Sequence, residues 1–170
     1  MTTLGPRKNL RPSTRLRLPQ FGQIPTQATR TTTGETLTTV VRNVARDVDD
    51  STLRPVARRD SGPAYRPRLL LELLTCCYAR EILGSTDIER LLRRDAAFRA
   101  LCGDEYPDAR TLRVFRRQNR AALQECLESA LQFLQGRPEH QGGFSLEITC
   151  SAEALRRLDM AACMDTLELD

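Results

Sequence analysis

Arg113, Arg116, Arg117 and Arg120 recur at i, i+3, i+4 and i+7. On a helix that spacing puts four guanidinium groups on one face, with Leu112, Phe115, Ala122, Leu123, Cys126 and Leu127 supplying a different, apolar face. Arg110 extends the basic cluster, and no acidic residue lies between Arg110 and Leu123 to act as an i±4 partner. Like charges crowded in this way destabilise a helix by a few tenths of a kcal/mol per pair, and a polyanionic partner removes that repulsion. The planar guanidinium fork matches phosphate oxygens and the edge of guanine, and a helix fits the major groove. The chemistry to which the cluster is suited is therefore the binding of duplex DNA. The plainer reading is a solvated face in an arginine-rich protein, since Lys8 is the only lysine among 26 basic residues.

The elements that must position this cluster follow from spacing and breakers. Residues 1–62 are rich in Pro, Thr, Arg and Gln, with a weakly helical stretch from Leu37 to Val48. They offer too little apolar surface to offset the entropy of ordering, which predicts a disordered basic arm. From Tyr65 the character changes. Pro67 suits the first turn of a helix carrying Leu69, Leu70, Leu73, Leu74 and Cys77, which Gly84 should end. Thr86 and Glu89 have capping-box spacing ahead of a second helix through Ile88, Leu91 and Leu92. Asp95 can cap a third, short helix containing Phe98 and Leu101. After Pro107, Asp108 or Thr111 can cap a long helix that runs without a breaker to Gln135, closed by Gly136 and Pro138. Beyond Gly143, alternation of Phe144, Leu146, Ile148 and Cys150 predicts a short strand, followed by an amphipathic segment capped by Ser151. The expectation is a mainly α protein: a small helix-turn-helix-like bundle at 63–136, between the arm at 1–62 and a strand/helix tail at 137–170.

Charge is distributed unevenly: +6 over residues 1–60, +2 over 61–135 and −4 over 136–170, within a net +4. No window approaches the roughly 18 apolar residues needed to span a bilayer, and no secretory signal opens the chain, so the sequence reading is cytoplasmic, with no membrane partner. Arg and Thr without acid in the first 34 residues also resemble an organellar transit peptide, although the repeated Pro argues against an amphipathic helix there. Cys76, Cys77, Cys102, Cys126, Cys150 and Cys163 form no CxxC pair and read as reduced, buried thiols, with no metal site. His140 is the only histidine and sits in a Gly/Pro loop, beside no obvious nucleophile. The nine glycines form no phosphate loop or dinucleotide fingerprint, so no cofactor is expected.

The order of these pieces resembles the N-terminal domain of InsH-type insertion-sequence transposases. The matching pieces are Tyr65-Arg66-Pro67 with Leu69 to Leu74, Ser85 to Glu89, Ala97-Phe98-Arg99, Pro107-Asp108, and Thr111 through Arg117. The resemblance covers about residues 65–135. It implies a module that helps a transposase hold its DNA, at terminal inverted repeats, with Thr111 as a cap and Phe115 anchoring the basic helix in the bundle. Such transposases continue into an RNase H-like domain whose first catalytic Asp stands in an Asp-Gly-Thr context. This chain has no Asp-Gly-Thr and ends at Asp170, and the carboxylates beyond residue 136 span too short a stretch for that fold. The expectation is a non-catalytic module, truncated or separately encoded, that works beside a catalytic transposase subunit.

Two other readings compete with DNA binding. The long helix is apolar along Leu123, Leu127, Ala130, Leu131 and Leu134, which suits pairing with a partner helix or self-association. Alternatively, the chain is a transposase remnant without a selected function.

Overall fold

The computed structural model describes residues 36–58, 62–103, 105–136 and 146–167. Seven α-helices make up the described fold: α1 (Leu37–Asp47), α2 (Pro67–Ala79), α3 (Ser85–Arg94), α4 (Ala96–Cys102), α5 (Ala109–Gln118), α6 (Arg120–Gln135) and α7 (Leu146–Leu167). The fold is a mainly helical bundle, and no strand occurs among the described residues.

Helix α2 is the axis of the bundle because its sequence is apolar nearly all round. Leu69, Leu70, Leu71, Leu73, Leu74, Cys76, Cys77 and Tyr78 are all buried. A helix with no polar face must be covered on every side, and α1, α4, α5 and α6 all pack against α2. Pro67 occupies its first turn. Its end lies at Ala79, five residues before Gly84. Glu81 adopts a positive φ of 62°, and the Ile82 N–H donates to the Cys77 carbonyl at 3.0 Å. The chain thus reverses through a Schellman-type turn with Glu in the left-handed position, and Gly84 instead precedes α3 as its N-cap residue.

Helix α1 corrects the reading of residues 1–62 as a disordered arm. Leu37, Val41 and Ala45 lie at four-residue spacing and are buried, and the stripe docks against both α2 and α6. Thr36 caps the helix by accepting the Thr39 N–H at 3.2 Å. Leu53 and Val56 are buried as well. Average composition understated what these five positions do once a groove receives them. The remainder of the expected arm, residues 1–35, lies outside the described residues, as does His140.

The long helix from Thr111 to Gln135 is two helices. The break is at Asn119 (φ −122°, ψ 31°), which is buried and fully engaged. Its Oδ1 accepts the Arg54 N–H at 2.7 Å, while its Nδ2 donates to the carbonyls of Arg54 and Phe115, both at 3.1 Å. An asparagine that bonds main chain on two segments gives the backbone an alternative to the helical ladder.

The expected strand around Leu146–Cys150 is also corrected, because residues 146–150 are helical; Phe144 lies outside the described residues. Cys150, Ala154, Leu158 and Ala161 are buried at 0% exposure. Their spacing of four, four and three is a helical period, and it overrides a short alternation. Ser151 stands inside α7, donating to Glu128 on α6 at 2.7 Å, and caps nothing. The thiols follow the same packing: five are buried, and Cys163 alone is exposed.

Candidate nucleic-acid interface

Helix α5 starts at Asp108, whose side chain accepts the Thr111 N–H at 2.7 Å. The cap is therefore Asp108, and Thr111 is buried in the first turn. A second acceptor comes from α3: Glu89 takes the Ala109 N–H at 2.9 Å. Glu89 does not close a capping box with Thr86, because Thr86 lies within α3. Leu112 and Phe115 are fully buried and fix the roll of α5 about its axis.

That roll splits the arginine cluster. Arg110 and Arg117, seven residues apart, are exposed and make no ion pair with any described residue. Arg113 is half-buried at the edge, its Nη2 donating to Thr86 Oγ1 at 3.4 Å and its Nε 3.6 Å from Asp165. Arg120 opens α6 and pairs with Asp159 at 2.7 Å. Arg116 points inward, 4% exposed. It bonds the Tyr78 hydroxyl at 3.2 Å and the Asp165 carboxylate at 2.5 Å. The single basic face expected from the spacing does not form. Positions 113, 116, 117 and 120 spread over about 100° of helix circumference, and Arg116 is at the edge beside Leu112. The partners that neutralise Arg116 and Arg120 both come from α7, beyond any i±4 relationship.

Burial opposes the charge on Arg116, but Tyr78 and Asp165 outweigh it and hold the guanidinium protonated. Burial likewise pushes the Tyr78 phenol up to about 12, against the pull of Arg116. Asp165 also accepts the Ser85 N–H at 3.0 Å and the Ser85 hydroxyl at 2.7 Å. A carboxylate at the first N–H groups of α3 satisfies orphan donors and complements the positive end of the helix dipole.

Eight residues earlier on α7, Arg157 makes the opposite contact. Its Nη1 donates to the carbonyls of Tyr78 and Ala79, at 2.8 and 2.9 Å, at the negative end of α2. Glu153 holds Arg157 in place at 2.6 Å. Hydrogen bonds from Arg156 and then Arg157 bring the Glu153 carboxyl down to about 2. Helix α7 thus offers a cation to the end of α2 and an anion to the start of α3, locking the turn between them.

The outcome is an antiparallel pair, α3 beside α5. Ser85 and Thr86 lie level with Arg116 and Arg113, and Glu89 lies level with Ala109. Arg90 and Arg93 are exposed on α3 and pair along their own helix with Asp87 and Glu89. Exposed pairs of this kind contribute about 0–1 kcal/mol, so their arginines exchange partners cheaply. Arg110 and Arg117 are exposed on the neighbouring α5, and guanidinium groups of this kind are suited to phosphate groups. The signal for Arg110 and Arg117 was present in the sequence. None existed for Tyr78, Ser85, Asp159 or Asp165, which become neighbours of the cluster only on folding.

No group of three His, Cys, Asp or Glu that could hold a metal ion occurs among the described residues, and no helix there is long and apolar enough to cross a membrane. The model of the family described as Transposase domain (DUF772) matches residues 32–118, which takes in α1 to α5 and stops where α5 stops. Neither the curated proteins nor the solved structures yield a match.

Proposed function

The chain belongs to the transposase-domain family DUF772, and from that premise we propose that it is the DNA-binding module of a transposase-like protein, holding duplex DNA on the surface shared by α3 and α5. The observation that carries this reading is the pair Arg110 and Arg117, exposed on one face of α5 and without an ion pair among the described residues. Arg113 contributes at the edge of the surface; Arg116 does not, because its charge is spent on Asp165. Terminal inverted repeats, which the resemblance to InsH-type transposases implies, are the DNA proposed for it.

The helix-pairing alternative loses its surface. Leu123, Leu127, Ala130 and Leu131 are buried within this chain, where α6 packs against α1, α2 and α7. These four are not available to a partner helix, and the fifth residue of the stripe, Leu134, is half-buried against the core.

The test is duplex binding by the full chain at about 50 and about 200 mM salt, with an Arg110→Ala/Arg117→Ala variant. Each phosphate contact contributes about 0.9 to the slope of log affinity against log salt, so the variant should lose about 2 from that slope and bind more weakly at both salts. Absence of salt-sensitive binding in the parent, or a slope unchanged in the variant, overturns the proposal.

A further inference from the structure

Tyr106 is the only aromatic residue among the exposed large hydrophobic residues of the described chain, at 52% exposure. Its main chain is fixed while its ring is left outside. The Tyr65 hydroxyl donates to the Tyr106 carbonyl at 3.2 Å, Pro107 beside it is buried, and Asp108 caps α5 one residue later. On the other side, Glu105 is held by Arg66 and by Arg58, the latter at 3.4 Å. The Arg58 guanidinium also lies over the Tyr65 ring, 4.5 Å from its centre. Arg66 keeps 69% of its side chain exposed while it pairs with Glu105, so a guanidinium open to solvent stands near a ring whose main chain is pinned. Arg110, with no partner among the described residues, follows four residues along the chain.

We propose that Tyr106, with Arg58 and Arg66 behind it, is a subsite for an unpaired DNA base continuous with the α5 surface. An aromatic face takes any base, and cations beside it hold the strand's phosphates; single-strand sites combine these two features. Bases within a duplex already stack on their neighbours and offer the ring no free face. The substrate class is therefore a single strand or a duplex with an unpaired end. This deepens the DNA-binding reading and rests on it for the adjoining phosphate contacts. The pinned backbone matters because a ring that needs no ordering loses little entropy when a base stacks on it.

The experiment titrates the full chain into a single-stranded oligonucleotide containing 2-aminopurine, and separately into a blunt duplex, comparing the parent with Tyr106→Ala and Tyr106→Phe. Thermal melting checks that the variants fold, as expected for an exposed ring. The parent and Tyr106→Phe should quench the 2-aminopurine. Tyr106→Ala should lose the quenching and about tenfold in single-strand affinity, the scale of one base–aromatic stack. Blunt-duplex affinity should stay unchanged in all three. Quenching that survives in Tyr106→Ala, or is absent in the parent, overturns the subsite. Failure of blunt-duplex binding with Tyr106-dependent quenching intact sinks the duplex reading alone.

Discussion

Replacing Arg116 by Ala separates a buried structural arginine from a surface one. The substitution leaves Asp165, 3% exposed, with the Ser85 hydrogen bonds but without its closest cation, since Arg113 stands off at 3.6 Å. It also takes the guanidinium contact from the buried Tyr78 hydroxyl. Breaking a buried ion pair by removing one partner costs about 3–5 kcal/mol, and at about 3 °C per kcal/mol for a domain of this size the melting temperature should fall by roughly 10–15 °C. Arg117→Ala, on the exposed face next in sequence, should stay within about 0.5 kcal/mol of the parent. A companion variant, Arg116→Met/Asp165→Asn, removes both charges, keeps a neutral acceptor for the Ser85 N–H and refills the volume. It should be more stable than Arg116→Met alone. The assay is thermal and urea unfolding followed by circular dichroism. Equal melting shifts for Arg116→Ala and Arg117→Ala would refute the burial of Arg116 and return it to the basic surface.

Three further outcomes follow from particular contacts. Asn119→Ala loses three hydrogen bonds and strands the Arg54 N–H, which should cost about 2 kcal/mol in urea unfolding; a change under about 0.5 kcal/mol would mean that the α5–α6 break does not depend on this side chain. Native protein should react with a thiol reagent at one cysteine per chain, Cys163, and at all six only in denaturant, because burial pushes the thiols of Cys76, Cys102 and Cys126 up to about 11, 12 and 12 and away from the reactive thiolate. Glu153 is held at about 2 against an ordinary 4.5, so its contribution is present above about pH 4.5 and lost as pH falls towards 2. The melting temperature of Glu153→Gln should therefore approach that of the parent over this range, and parallel curves would count against the Arg156–Glu153–Arg157 arrangement.

The fold class was legible because the central elements carry their own signals. Pro67 and the leucines of α2 and Asp95 before α4 are local features, and each stands where the sequence suggests. Asp95 accepts the Phe98 N–H at 3.4 Å. What was not legible depends on residues far apart in the chain. Helix α1 has only three fully buried positions, too few to outweigh the composition around it until α2 and α6 provide a groove. Asn119 looks harmless within a helix, and its partner Arg54 lies 65 residues away. The candidate surface divides in the same way. Arg110 and Arg117 are the members of the expected cluster that stay exposed, although the single face does not form. Arg116 was placed in the DNA-binding cluster because no nearby acid opposed it, while the acid that does, Asp165, is on the last helix.

The position of that acid bears on what makes up the folded unit. The family match ends at Gln118, yet the five helices it covers are not closed on themselves. Helix α6 covers α1 and α2. Helix α7 supplies the acceptor for the first N–H of α3, the donor for the last carbonyls of α2 and the counter-charge for Arg116. Without α7, a buried guanidinium and a buried helix start lose their partners together, and the α3–α5 surface loses what sets its spacing. Two acids of the segment that in the sequence looked like a tail trailing behind a basic protein, Asp165 and Asp159, instead pair with Arg116 and Arg120 of the cluster. The outer arginines remain the net positive surface.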